Sequence, residues 1–539
     1  MSAQSDRFVH DRLPPRAAWP QFLYPAGAPA GDDVLNVVAA LLDKALAQPW
    51  ADAPLFRSAQ ETLTYRQAHA LVNQRAHCLT HTLGLVPGNR VLIRGTNSIG
   101  FALCWLAVVK AGLIAVSTMP MLRAKELSEV ITKAQPVLAL CDGALVDELT
   151  LAQQQCPGLA SIVLFGDVQS THGLEQLSAA LPTVFDACPT SGDDIAMLAF
   201  TSGTTGSPKA ACHSHLDVWS ACQAWPLSVL KASSSDVVLG TPPLAFTFGL
   251  GGLLLFPMVA GASVYFPNGP LSPETMLQAM QDAGCTICYT APTFYRQMAI
   301  LMNGTSVPSL RVSVSAGEAL PDSTRQRWRQ ACGIELLDGI GATELFHIFI
   351  SSPPDRVRAG SLGQVVPGYE ACVLDAHGAP VPHGQVGRLA VRGPTGCKYL
   401  DDARQATYVQ NGWNFPGDTV FQDADGYFHY QSRADDMIIS AGYNIAGPEV
   451  EDALLMHPAV LECAVVGKPD TERGMVVQAF CVLRPDFVAN DDLVKRLQDH
   501  VKQSLAPYKY PRAVVFLEAL PRTPTGKLQR FKLRSAPFS

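Results

Sequence analysis

From Leu63 to Cys141, windows with helical periodicity such as YRQAHALVNQRAHCLTHTL alternate with short β-branched runs, RVLIRG, LIAVSTM and PVLALC. Strands separated by helix-length crossovers pair in parallel, so this stretch predicts a parallel α/β layer. The alternation recurs through SIVLFG, CTICYT and LRVSVSAG, whereas Glu370 to Arg392 (EACVLD, GRLAVRG) predicts antiparallel strands and turns. No internal repeat of fixed period is present. After Arg433 the pattern restarts compactly: strand, helix (PEVEDALLMH), strand (ECAVVG), strand (QAFCVL), helix (DDLVKRLQDHVKQSL), strand (AVVFL) and a basic tail. The expected architecture is therefore α/β and α+β, multidomain, with a large N-terminal domain of packed α/β subdomains (1–434) and a small C-terminal α+β domain (435–539). A chain of 539 residues, 48 % hydrophobic and 16 % charged, has the material for such cores and is not a disordered one.

With 40 Lys and Arg against 47 Asp and Glu, the net charge of −7 argues against a general nucleic-acid binder. Charge is uneven in the last hundred residues. Asp435 to Tyr508 holds 6 basic and 12 acidic residues, and Lys509 to Ser539 holds 7 and 1, so the final segment attracts anions. Of the 14 Cys only Cys285 and Cys288 are close, without nearby metal-ligand partners, and are expected to be apolar residues of a buried strand. The N-terminus MSAQSDRFVHDRLPPRAAWP lacks an apolar signal region, which predicts a cytoplasmic protein. A charge-free run of 37 residues, Val237 to Pro273, is long enough to cross a bilayer, but its Pro and Gly predict buried strands and short helices lining a cavity instead.

The most informative segment is MLAFTSGTTGSPKAACHSH, Met197 to His215. An apolar strand runs into Gly, Ser and Thr and then Lys209, which suits phosphate oxygens: glycines let backbone N–H groups approach, hydroxyls donate, and Lys adds charge. The order is not that of a Walker A loop, because Pro208 precedes Lys209 and Ala210 follows it.

TSGTTGSPK resembles the phosphate loop of the adenylate-forming superfamily of acyl-CoA synthetases, luciferases and peptide-synthetase adenylation domains. Four further motifs follow in the family's order: LDGIGATELFHIF, GWNFPGDTVFQDADGYF, SRADDMIISAGYNI and PRTPTGKLQR. The resemblance spans roughly Asn36 to Arg534 and implies a two-step reaction. A carboxylate attacks the α-phosphorus of ATP, giving acyl-AMP and pyrophosphate, and the CoA thiol then displaces AMP. ATP, Mg²⁺ and coenzyme A are the implied partners of the reaction, since an anion can meet a polyanion only where cations neutralise and align them.

The resemblance assigns the β- and γ-phosphates to Thr201, Ser202, Gly203, Thr204, Thr205, Gly206 and Lys209, the α-phosphate to Thr343, and Mg²⁺ to Glu344, a hard oxygen ligand. Ala316, Gly317, Glu318, Asp338, Gly339, Ile340 and Gly341 match the segments enclosing adenine. Asp418 would accept from the ribose hydroxyls, and Arg433 would reach ribose or phosphate. Lys527 would bridge the substrate carboxylate and the α-phosphate during adenylation. Asp435 matches the hinge about which the small domain turns, withdrawing Lys527 and bringing Gly442 and Tyr443 to the CoA tunnel.

Within the superfamily, LDGIGATELFHIFIS, YTAPTFYRQM and SAGEALP look most like benzoate and 2-aminobenzoate CoA ligases. The implied acyl slot comprises Ala245, Phe246, Thr247, Phe248, Ala316, Ile340 and His347, with two aromatics to sandwich a ring. PLAFTFGLG carries Ala245, Thr247 and Phe248 where benzoate ligases tend to have Phe, Ala and Tyr. The gained hydroxyl favours a polar ortho group and hence 2-aminobenzoate over benzoate. The expected enzyme is an aryl-acid CoA ligase acting on a small aromatic carboxylate, as monomer or homodimer, without nucleic acid or membrane. The alternatives are a benzoate or other aryl-acid ligase, a kinase or NTPase, which the loop order and the Lys527 motif disfavour, and an adenylation domain that loads a carrier protein. No carrier domain follows Ser539, which favours free CoA.

Overall fold

The computed structural model describes residues 2–166, 172–201, 208–302, 306–433, 436–440, 443–471, 473–523 and 528–535. Among them the strands assemble into four sheets. The β-branched runs of the first alternation form a six-stranded sheet in which Ser161–Phe165, Leu138–Asp142, Arg90–Arg94, Ile114–Thr118 and Ile195–Thr201 pair in parallel. Lys209–Ser214 closes its edge, antiparallel to Ile195–Thr201. A nine-stranded sheet has the parallel strands Ser263–Tyr265, Val237–Gly240, Ile287–Thr290, Val312–Ser315 and Leu336–Gly341 at its centre.

The helix Ile99–Lys110 has 11 buried residues out of 12, because it is apolar on every side. Ser98 accepts from the Phe101 N–H at 3.2 Å and caps its start. The periodic window beginning at Tyr65 is helical to His77, capped by a reciprocal Thr64–Gln67 pair, and then widens into a π-turn over Cys78–Thr82.

The Val237–Pro273 run resolves as expected into buried strands and short helices, Val237–Gly240, Thr247–Leu250, Gly251–Leu255, Phe256–Ala260 and Ser263–Tyr265. Among the described residues no helix is long and apolar enough to cross a membrane. Glu370–Leu374 and Gly387–Arg392 pair antiparallel within a further six-stranded sheet that includes Asp418–Gln422 and Phe428–Arg433. Cys285 and Cys288 are fully buried free thiols.

The C-terminal restart forms its own five-stranded sheet and core. Val460–Asp470 and Gly474–Leu483 make a long hairpin, and Ala513–Phe516 adds in parallel. The helices Gly447–Leu455 and Asp491–Ser504 bury Val450, Leu454, Leu493, Leu497 and Val501 in a core separate from those of the larger domain. The architecture is a large α/β domain plus a small α+β domain, as the sequence pattern predicts.

Candidate functional site

The strands Ile195–Thr201 and Lys209–Ser214 pair antiparallel with Thr201 opposite Lys209, so the Gly-rich loop is the connection of a hairpin whose base those two residues form. Ser202, Gly203, Thr204, Thr205 and Gly206, like Asp435, Gly442 and Lys527, lie outside the described residues. Lys209 Nζ sits 5.3 Å from the ring centroid of Tyr399.

The segment Gly341–His347 turns sharply. After a short 3₁₀ turn over Thr343–Leu345, Phe346 adopts φ 70° and ψ −52°, and the His347 N–H donates to the Leu345 carbonyl at 2.9 Å. This is the rare γ-turn with positive φ, strained for a residue bearing a Cβ, and it persists because its surroundings hold it. His213 Nε2 donates to the Thr343 carbonyl at 2.8 Å, and Thr395 Oγ1 donates to the Leu345 carbonyl at 2.7 Å. Gly341 has no room for a side chain: a Cβ there would lie 2.6 Å from the His347 carbonyl oxygen. The turn separates Glu344 from His347, giving each its own environment.

Glu344 is 8 % exposed, and its Oε1 accepts from the Tyr399 hydroxyl at 2.5 Å. Among the described residues Oε2 has no hydrogen-bond partner, which suits a cation. No group of three or more His, Cys, Asp and Glu clusters as a metal cage among them. A single carboxylate oxygen fits Mg²⁺, which takes most of its ligands from water and substrate phosphates.

Asp338 is buried, with its Oδ1 accepting from the Gly339 N–H at 2.9 Å and Arg325 4.0 Å away. Burial outweighs that cation and pushes its carboxyl up to about 7. Gly317 lies at φ +93° with nothing within 4 Å of a built Cβ, an open backbone surface that glycine alone holds without strain. Asp418 and Arg433 face each other on paired strands, and the Arg433 guanidinium reaches both carboxylate oxygens, at 3.2 and 3.3 Å. Glu318, expected near adenine, pairs with Arg522 of the small domain at 3.0 Å and accepts from Thr293 Oγ1 at 2.9 Å. Arg522 also meets Glu462 at 3.2 Å, and its bridge to Leu528 forms the base of the segment that contains Lys527.

On the other side of the γ-turn, His347 is enclosed by Trp225, Phe248 and Phe256, with ring centroids 5.4, 5.4 and 4.5 Å away, and Tyr289 packs edge-on to Phe248. Burial drives the imidazole pKa down to about 3, so the ring is neutral. Its Nε2 lies 3.4 Å from the Phe248 carbonyl, and among the described residues Nδ1 is buried without a partner. Trp225 Nε1 and the Tyr289 hydroxyl are likewise buried and unpartnered. Ala245 and Thr247 are buried, and Gly249 is required because a Cβ would meet the Pro243 carbonyl at 2.1 Å. Asn97 pins this loop, accepting from the Leu244 N–H and donating to the Pro242 carbonyl. Tyr443 is exposed and stacks on Tyr508 at 4.5 Å.

Asn97, His213, Trp225, Tyr289, Tyr399 and Arg522 were not singled out from sequence. Each acts through a partner distant in the chain; His213 in MLAFTSGTTGSPKAACHSH, Tyr289 in YTAPTFYRQM and Arg522 in PRTPTGKLQR lay inside quoted motifs, but nothing in those motifs named the partner.

The AMP-binding enzyme family profile matches residues 42–398, and that of the AMP-binding enzyme C-terminal domain matches 449–527. A benzoate–CoA ligase of Thauera aromatica is 34 % identical over 484 residues, 88 % of this chain and 90 % of that protein. The crystal structure of the anthranilate CoA ligase AuaEII in complex with anthranoyl-AMP superposes with a TM-score of 0.88 at 34 % identity, covering 93 % of this chain and 97 % of that one. A benzoate CoA ligase from Burkholderia xenovorans gives 0.84 at 30 %, covering 93 % and 100 %. The two profile matches fall on the large and the small domain in turn, and the chain belongs to the AMP-binding enzyme family, as an AMP-forming acid–thiol ligase.

Proposed function

We propose that this enzyme activates an aromatic carboxylate, 2-aminobenzoate in preference to benzoate, as the acyl-adenylate and transfers the acyl group to coenzyme A. The observation that carries the reading is the aromatic enclosure of His347, an apolar setting with one neutral imidazole in it. The Phe248 carbonyl favours a proton on Nε2, which leaves Nδ1 as an acceptor. An acceptor of this kind matches an amino N–H on the ring, and plain benzoate offers it nothing. Leaving such a buried atom unpaired costs about 1–3 kcal/mol, enough to discriminate between the two acids by roughly 5- to 150-fold. The named relatives act on benzoate and on anthranilate, which agrees with an aryl acid in this site.

In this reading Thr201 and Lys209 hold the β- and γ-phosphates at the base of the hairpin, together with the Gly-rich loop between them. Thr343 faces the α-phosphate, its backbone kept in place by His213. Glu344 Oε2 would hold Mg²⁺, which when bound supplies positive charge to the developing pyrophosphate. Asp418 accepts from the ribose hydroxyls while Arg433 orients its carboxylate. Ala316, Gly317, Asp338 and Gly339 to Gly341 form the adenine wall. Lys527 brings the two anions of the first step together, and rotation about Asp435 exchanges it for Gly442 and Tyr443 in the second. We assign residues 1–434 to the nucleotide- and acyl-binding domain and 435–539 to the mobile domain.

The test is incubation with ATP, Mg²⁺ and CoA against benzoate, 2-aminobenzoate, 2-hydroxybenzoate, a cinnamate and a medium-chain fatty acid, with thioesters detected by mass. Aryl-CoA with AMP and pyrophosphate, fastest for 2-aminobenzoate, is the expected result. Thr247→Ala should narrow the preference for 2-aminobenzoate over benzoate, and an unchanged ratio would remove Thr247 from the argument. Pyrophosphate without any thioester would point to a carrier protein as acceptor.

A further inference from the structure

Tyr399 stands between two charged groups of the nucleotide site and touches both. Its hydroxyl donates to Glu344 Oε1 at 2.5 Å, and Lys209 Nζ lies 5.3 Å from its ring centroid. The side chain is 1 % exposed and packs edge-on against Tyr408, 5.7 Å between centroids. Its backbone is fixed on three sides. The N–H donates to Gln405 Oε1 at 2.9 Å, and Tyr399 bridges to Ala211 on the strand that starts at Lys209. The next N–H, of Leu400, donates to Ala210 at 2.9 Å. Gln405 is held in turn by the carbonyls of Ala18 and Cys397. The ring thus has little freedom, and both charged groups are referenced to it.

Donation to Oε1 restrains that oxygen, while Oε2 has no hydrogen-bond partner among the described residues. The same ring carries the ammonium of Lys209 at its face, 5.3 Å from the centroid, so one rigid side chain sets the relation between the anion that would hold the metal and the cation that would hold the phosphates.

We propose that Tyr399 is a positioning residue for the metal–nucleotide complex: it orients Glu344 for the divalent cation and registers it against Lys209. The proposal rests on the assignment of Glu344 as metal ligand and is independent of which acid the enzyme activates.

The experiment measures Mn²⁺ affinity by electron paramagnetic resonance in the presence of saturating ATP, and ATP affinity in EDTA by calorimetry, both without any acid or CoA. Tyr399→Phe keeps the ring and loses the donor. It should weaken Mn²⁺ binding 10- to 100-fold, the usual consequence of losing a hydrogen bond to a metal ligand, and leave metal-free ATP affinity within about twofold. Incorporating 4-aminophenylalanine at position 399, which restores an N–H donor, should recover most of the metal affinity, a rescue that a packing role would not produce. Unchanged Mn²⁺ affinity in Tyr399→Phe, with Glu344→Gln weakened, would overturn the proposal. Equal losses of Mn²⁺ and metal-free ATP binding in Tyr399→Phe would also overturn it, as a packing defect. Unchanged affinity in Glu344→Gln would overturn the ligand assignment and the proposal together, and neither result touches the choice of acid.

Discussion

Neutralising Glu318 should slow adenylation selectively, because the Arg522–Glu318 pair joins the small domain to the large one beside the segment that carries Lys527. At 3.0 Å and an effective dielectric constant of about 20 the gross attraction is about 5 kcal/mol. The two side chains retain 29 % and 25 % exposure, so desolvation, screening and side-chain entropy reduce the net value to about 1–2 kcal/mol, between exposed and buried pairs. Glu318→Gln leaves Arg522 paired with Glu462 and so creates no isolated buried charge. The domain arrangement held by this pair, which in the proposed mechanism serves adenylation, should then lose 5- to 30-fold in relative population. Acid-dependent ATP–pyrophosphate exchange at low salt should fall by that factor, while thioester formation from chemically prepared acyl-adenylate should not fall. Added salt should narrow the gap between wild type and variant. A double-mutant cycle with Arg522→Gln should return a coupling of about 1–2 kcal/mol. Exchange within twofold of wild type at low salt, or equal loss of both half-reactions, would refute the reasoning.

Two further outcomes follow from buried titratable groups. His213 and His215 have pKa values driven down to about 4, and His347 to about 3, all by burial. The unfolded chain takes up protons below about 6.5 that the fold refuses, so stability is intact above that pH and is lost as pH falls toward 4, by roughly 2 kcal/mol per histidine at pH 5. Urea titrations at pH 7.5 and 5 check this, and a flat profile would contradict it. Asp338, raised to about 7, behaves oppositely: the folded protein retains its proton between about 4 and 7, so its contribution to stability is lost as pH rises through 7. If its carboxylate accepts from the adenine amino group, ATP affinity should rise across the same interval, against the background of Arg325, Asp322 and Glu335, and Asp338→Asn should flatten that dependence.

The parallel layers were legible because helical and strand periodicities alternate over long windows, and the windows from Arg90 to Asp142 became neighbouring strands as expected. The π-turns at Cys78–Thr82 and Gly251–Leu255 were not, since one extra residue in a turn leaves no mark on so short a window of periodicity. Among site residues, those inside contiguous motifs, such as Thr201, Lys209 and Asp418, were named from the resemblance, and their roles are proposals. The role of Glu318 in joining the domains was not legible, because its partner Arg522 is 204 residues away.

Local sequence alone determined most of the strands and helices, the Gly-rich loop that follows an apolar strand, and the residue types able to meet phosphate, ribose and metal, because turn chemistry and periodicity are short-range properties. Tertiary structure decided what those residues do to one another: the γ-turn at Phe346 that parts Glu344 from His347, the Tyr399 hydroxyl on Glu344, and the orphaned Nδ1 among Trp225, Phe248 and Phe256. Hydrogen-bond satisfaction and desolvation depend on every group within a few ångströms, and those groups come from strands and loops that only folding brings together.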